Sequence, residues 1–413
     1  MGRRRRHHCR RAVARGRQVM SAILIFTLSV LITSGTIIFF EDRQNVPLHL
    51  QYPVHCGAIL AGDPWEVDVA ESFLQEVASM TSDNRIPMPS DGDVSDYTSD
   101  CTFFRNERTY PTTPGSREEA NFPIAYIFVV HRNAAQLELL LRSLYHPQNV
   151  YAIHPDPKSP PEFQAAVRNI AACFDNVFVC SQLEEVQYGR HSRLMADIHC
   201  LRDLLEHDIQ WRYVLNQCGE SFPLKTNLEI VHQLKGYHGL NDVESYPMSE
   251  KKLRRFLRYD HDKNIPASKR ITQEPPPGNI ALFSGNAYNT LSRKFVEYVL
   301  REDIPRRFLE WLRDSWSPDE HYWATLNRLP DAPGGTEGST MELTTYVNWR
   351  QHQRQKCHGA YVHHLCVMMT ADLPILVNMP HIFANKFYYQ EDPIALQCLQ
   401  ERLQTRTSQN RLF

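Results

Sequence analysis

Pro123-Ile124-Ala125-Tyr126-Ile127-Phe128-Val129-Val130-His131 decides the fold. The run is apolar without a break from Pro123 to Val130, as expected of a strand covered on both faces. Ala134 to Tyr145 follows with Leu137, Leu140, Leu141 and Leu144 at helical spacing, and Val150 to His154 is a second apolar run. Strand, helix and strand in this order make a βαβ unit with a parallel sheet. A strand near Val177 to Cys180, a helix from Arg193 to about Glu206 and a strand at Tyr213 to Leu215 extend it into a doubly wound α/β arrangement. Ligands of such sheets bind beyond the carboxyl ends of the strands. His131 and Asp156 fall there, although Asp156, between Pro155 and Pro157, reads equally well as a turn residue. No Gly-x-Gly-x-x-Gly and no Walker loop is present, so neither a dinucleotide nor ATP is indicated.

Upstream the texture differs. Arg3 to Arg6, Arg10, Arg11, Arg15 and Arg17 precede an apolar run over residues 19–40, long enough to cross a bilayer. A cleaved signal peptide is the alternative, but the run exceeds the usual apolar core of one and lacks a clear small-x-small cleavage site. The basic block then marks the cytoplasmic side. The expected organisation is a cytoplasmic tail (1–18), a single-pass type II anchor (19–40), a lumenal stem (41–117) and a catalytic domain (118–413). The stem is assigned because residues 41–117 lack periodicity and are rich in Asp, Ser, Pro and Thr, with a short helix expected around Trp65 to Met80. Its Asp91-Gly92-Asp93 spells a metal-binding signature, but with no strand ahead of it no metal is expected there.

The 413 residues are 42% apolar with a formal net charge of −2, which suits one large domain and excludes a general affinity for nucleic acid. Of ten cysteines, Cys9 lies on the cytoplasmic side and nine face an oxidising lumen, so disulfides with at least one thiol left over are expected. No Asn-x-Ser/Thr sequon occurs.

Ser317-Pro318-Asp319-Glu320-His321-Tyr322-Trp323 is open to two readings. Ser317 as cap, Pro318 in the first turn and carboxylates near the positive end of the macrodipole describe an ordinary helix start. A carboxylate among aromatic rings also suits a base that takes a proton from a sugar hydroxyl.

Val129-Val130-His131, Ile153-His154-Pro155-Asp156, Cys173-Phe174-Asp175-Asn176-Val177-Phe178-Val179, Phe222-Pro223-Leu224-Lys225-Thr226-Asn227, Leu282-Phe283-Ser284-Gly285, Ser317-Pro318-Asp319-Glu320 and Phe383-Ala384-Asn385-Lys386-Phe387 closely resemble the core 2 and I-branching β-1,6-N-acetylglucosaminyltransferases, in order from about Cys56 to Cys398. The resemblance implies a GT-A-like, Rossmann-like Golgi enzyme that moves N-acetylglucosamine from UDP-GlcNAc to the 6-hydroxyl of a glycan, on glycoprotein or glycolipid, with inversion and without a metal or other cofactor. It assigns Glu320 as catalytic base. Val129, Val130, His131, Asp156, Pro157, Lys158 and Tyr188 would hold the donor, and Glu244, Lys251, Arg254 and Trp349 the acceptor. It also implies the bridges Cys56 to Cys398, Cys101 to Cys173 and Cys357 to Cys366, leaving Cys218 free.

Several positions depart from the family. Of two cations expected on the diphosphate, the lysine is here as Lys386, but His363 stands where an arginine is expected. Imidazole lacks the permanent charge and fixed fork of guanidinium. Ser221 replaces an aspartate and Gln351 a tyrosine. The family partner of Cys200 is here Ala152, so Cys200 is expected either to pair with the extra Cys180 or to remain a thiol alongside it. Two functions stay open: a branching transferase, favoured by Glu320 and Lys386, and a Golgi pseudoenzyme or glycan-binding protein, favoured by His363 and Ser221.

Overall fold

A computed structural model describes residues 51–81, 86–258, 271–272, 274–336, 342–351 and 355–410. The basic tail and the apolar run of 19–40 lie outside these residues, and no described helix is long and apolar enough to cross a membrane.

The described chain begins with helices α1 (Cys56–Leu60), α2 (Pro64–Ser79), α3 (Asp91–Tyr97) and α4 (Cys101–Glu107). Helix α2 is the one expected from the sequence, started by Asp63, whose carboxylate accepts from the Trp65 amide at 2.9 Å. Parts of the segment are packed onto the body: Val94 of α3 and Phe104 of α4 are wholly buried in the core that holds the first strand. Two disulfides fasten this segment, Cys56 to Cys398 and Cys101 to Cys173. Short polar helices held by one or two apolar residues and a bridge leave no periodic signal, which is why they read as stem. Asp91 and Asp93 are used structurally. Asp93 closes a capping box with Ser90, and Asp91 accepts from the Ala134 amide at 2.9 Å.

Next come β1 (Ile124–Val130), α5 (Ala134–Leu144), β2 (Val150–Pro155), α6 (Pro161–Ala172), β3 (Val177–Val179), α7 (His191–Glu206) and β4 (Tyr213–Cys218), within a residue or a few of the expected bounds. β4, β1, β2 and β3 are parallel neighbours in that order, and β8 (Thr290–Ser292) adds an antiparallel edge beside β4. Successive β1 residues explain the unbroken apolar run. Ile124, Tyr126, Phe128 and Val130 enter the core with α5 and α6, whereas Ala125, Ile127 and Val129 enter the one with α7. At about 25 cal/mol per Å² of apolar surface, this two-sided burial is the main stabilising term.

Past Cys218 the chain turns through Gly219 and Glu220 into β5 (Ser221–Pro223) of a second sheet, whose order is β9 (Thr345–Val347), β12 (Phe383–Asn385), β5. Two further pairs complete the site region: β6 (Tyr246–Pro247) with β7 (Phe283–Ser284), and β10 (Tyr361–Val362) with β11 (Leu365–Cys366). Helix α8 (Asp319–Leu326) packs on β7. Cys357 pairs with Cys366 and Cys180 with Cys200, and Cys218 is the free cysteine among the described residues. The extra Cys180 thus stands in for the partner lost at Ala152.

Candidate active site

Glu320 lies in the first turn of α8. Ser317 does not cap that helix with its side chain. It lies in the left-handed region (φ 49°), drawn there as its amide donates to the Gly189 carbonyl at 2.8 Å, and its own carbonyl accepts from the Glu320 amide at 3.1 Å. The Glu320 carboxylate accepts from Arg255 Nη1 at 2.5 Å and keeps about a quarter of its side chain exposed (28%). Beside it Asp319 is buried, and burial pushes its carboxyl up to about 6 against the pull of Arg193.

Gly285 joins Glu320 to Glu244. Its amide donates to the Glu320 carbonyl at 2.7 Å, and a Cβ here would lie 1.7 Å from the Glu244 carbonyl oxygen. No side chain fits between the two backbones. Burial, with Glu342 and Glu320 adding and Lys252 opposing, pushes the Glu244 carboxyl up to about 7. Near neutrality one carboxyl can therefore donate a hydrogen bond while its neighbour accepts one. Lys252 donates to Ser284 Oγ on β7. Lys252 and Arg255, three residues apart, are the cations the structure turns toward these carboxylates. Lys251 is exposed, and the side chain of Arg254 lies outside the described residues.

The other half of the site lies at the carboxyl ends of β1, β2 and β4. Val129 and Val130 are buried in β1. Asp156 Oδ1 accepts from the Lys158 amide at 2.9 Å, the Asp156 amide donates to the Val130 carbonyl at 2.8 Å, and Ser159 Oγ donates to the His131 carbonyl at 2.8 Å. Lys158 Nζ donates to the Val186 carbonyl at 2.6 Å, and the Pro157 carbonyl accepts from Gln164. Thus the β1 and β2 loops are one fixed unit. Glu220 sits beside it, its carboxyl held below the ordinary value because Lys386, His131 and Arg132 outweigh the cost of burial. Ser221 and Cys218 both receive the Asn385 side-chain amide at 3.0 Å. Tyr288, three residues after Gly285, hydrogen-bonds Cys218.

Tyr188 and His363 come together, with ring centroids 4.9 Å apart and Tyr188 70% exposed. His363 and His364 form the two-residue turn between β10 and β11, both left-handed at φ 51° and 68°. Trp349 is half-buried next to this hairpin, bridged to Leu365. Sequence reasoning missed Arg132, Glu220, Lys252 and Arg255. Arg132 follows His131, a position already placed by the parallel-sheet rule, and Glu220 comes two residues after Cys218 at the end of β4. Lys252 and Arg255 carry no motif of their own, and only their packing beside Ser284 and Glu320 marks them.

The profile of the core-2/I-branching enzymes matches residues 124–376, which spans every strand of the main sheet and the carboxylate pair. The chain belongs to that family. Its relatives in the family include a β-1,3-galactosyl-O-glycosyl-glycoprotein β-1,6-N-acetylglucosaminyltransferase 4 of Danio rerio, 38% identical over 86% of this chain and 85% of that protein. The Mus musculus enzyme of the same name is 42% identical over 76% and 72%, and a Homo sapiens β-1,6-N-acetylglucosaminyltransferase is 38% identical over 85% of each. The solved galactosyltransferase LgtC aligns at 12% identity and a TM-score of 0.33, over 69% of this chain and 95% of that one, too loose a likeness to carry an argument. Among the core-2/I-branching enzymes this chain is thus a member with a full α/β body.

Proposed function

We propose that this protein is a Golgi β-1,6-N-acetylglucosaminyltransferase, anchored as a single-pass type II membrane protein by residues 19–40, with a GT-A-like catalytic domain in the lumen. It takes N-acetylglucosamine from UDP-GlcNAc and places it on the 6-hydroxyl of an O-glycan or poly-N-acetyllactosamine acceptor. The observation that carries this reading is the carboxylate pair: Glu320, held at a helix start with its carboxylate partly exposed, against Glu244 across Gly285. A sugar hydroxyl is a poor nucleophile. Glu320 accepts its proton as the bond to the anomeric carbon forms, and a single in-line displacement inverts that carbon. Glu244, neutral at mildly acidic pH, donates to the acceptor, while Lys252 and Arg255 orient its other hydroxyls. Trp349 offers a ring to a pyranose face, and Lys386 stabilises the departing diphosphate, so that no metal is called for.

A glycan-binding protein without turnover is the second reading, favoured by His363, whose ring rests on Tyr188. The full-length protein in detergent, given UDP-GlcNAc and an array of galactosyl glycans, separates the two. The transferase reading expects a 6-linked β-GlcNAc product by NMR, and acceptor binding without product supports the second.

A further inference from the structure

Arg132 follows His131 directly at the carboxyl end of β1, among the residues assigned to the donor. Its Nε and Nη2 donate to one oxygen of Glu220 at 3.3 and 3.2 Å, and its guanidinium lies 4.9 Å from the centroid of the Tyr388 ring. Lys386 Nζ lies 5.6 Å from the centroid of that same ring and also acts on Glu220. Two cations thus share one ring and one carboxylate, a cluster of net charge plus one. Nearly half of the Arg132 side chain is exposed (47%), so it is open to a ligand.

Two charges that the family resemblance leads one to expect are absent from this chain, at Ser221 and His363. The carboxylate missing at Ser221 reappears one residue earlier as Glu220. The guanidinium that the family resemblance leads one to expect at His363 has a counterpart in Arg132, whereas the His363 ring lies tilted against Tyr188. We propose that Arg132, aimed by Glu220 and Tyr388, is the second cation that grips the diphosphate of the nucleotide. This rests on the donor assignment of Lys386 made above. A guanidinium kept in place by one carboxylate oxygen retains further N–H donors, in the fork geometry that suits phosphate.

Calorimetric titration of UDP and of uridine into the full-length protein in detergent tests it, with Arg132→Met, Arg132→Lys, His363→Ala and Lys386→Met. Arg132→Met is expected to weaken UDP about 10- to 100-fold and leave uridine unchanged, the scale of one lost charge-assisted contact. Arg132→Lys recovers part of the loss, and His363→Ala changes UDP less than Arg132→Met does. Equal losses for UDP and uridine would mean that Arg132 only supports the loop, which overturns the inference. So would unchanged UDP binding in Arg132→Met when Lys386→Met binds UDP poorly. Should Lys386→Met also bind UDP as the unaltered protein does, it is the donor assignment itself that fails.

Discussion

Glu244→Gln should stabilise the protein at pH 8 and leave it unchanged at pH 4.5. The carboxyl is pushed from its ordinary 4.5 up to about 7 by burial and by the facing Glu342 and Glu320. Below 4.5 it is protonated whether the chain is folded or not, and contributes nothing to the pH dependence. Between 4.5 and 7 the unfolded chain loses its proton while the folded one holds it, so stability falls as pH rises, and above 7 the loss is complete. At 1.36 kcal/mol per pH unit the interval comes to about 3 kcal/mol, an upper figure that water at the half-buried site reduces towards about 1–2 kcal/mol. Glutamine keeps the shape and hydrogen-bonding ability of the neutral acid and never ionises. Other raised carboxyls, Asp319 and Asp392 at about 6, are common to both proteins and cancel in the difference. Urea unfolding of both proteins at pH 5, 6, 7 and 8 gives that difference directly. A gap that does not widen with pH would refute the coupling of Glu244 to its surroundings, and with it the neutral donor used in the proposed mechanism.

Gly285→Ala should abolish transfer and cost about 1–3 kcal/mol or more of stability, since the new methyl meets the Glu244 carbonyl at 1.7 Å; a variant with normal activity and melting would show that the two backbones are not in contact. Replacing Cys180 and Cys200 together by alanine opens a bridge of sequence separation 20 and should cost about 2–4 kcal/mol. Alkylation of both residues in the unreduced wild type would contradict the bridge itself. Transfer should survive EDTA, because Lys386 and Arg132 supply the positive charge; loss on chelation that manganese restores would require a metal in the mechanism.

The central sheet was legible because burial on both faces writes an unbroken apolar code into β1 and β2, and the leucine spacing of α5 is equally plain. The helices α3 and α4 were not, since each is held by one buried side chain and by contacts far away in sequence, such as Cys101 with Cys173. At the site, Glu320, read from its motif, lies in the carboxylate pair, and His131 and Asp156, read from the sheet ends, lie in the fixed loops after β1 and β2. Lys252 and Arg255 were not singled out in the sequence because only packing shows that Arg255 reaches Glu320 and that Lys252 lies beside Ser284. Glu220 and Arg132 were missed for a different reason, because their pairing joins the loops after β1 and β4, strands that are neighbours in the sheet but far apart in sequence.

The role of Glu320 is tested most directly by comparing N-acetylglucosamine transfer from UDP-GlcNAc by the wild type and by Glu320→Gln, with UDP affinity measured on the same preparations. The amide preserves the shape and cannot take the hydroxyl proton. Transfer should fall about 100-fold or more while UDP affinity stays within about twofold, the usual scale for a lost general base. A variant that retains more than about a tenth of the wild-type rate would contradict the account.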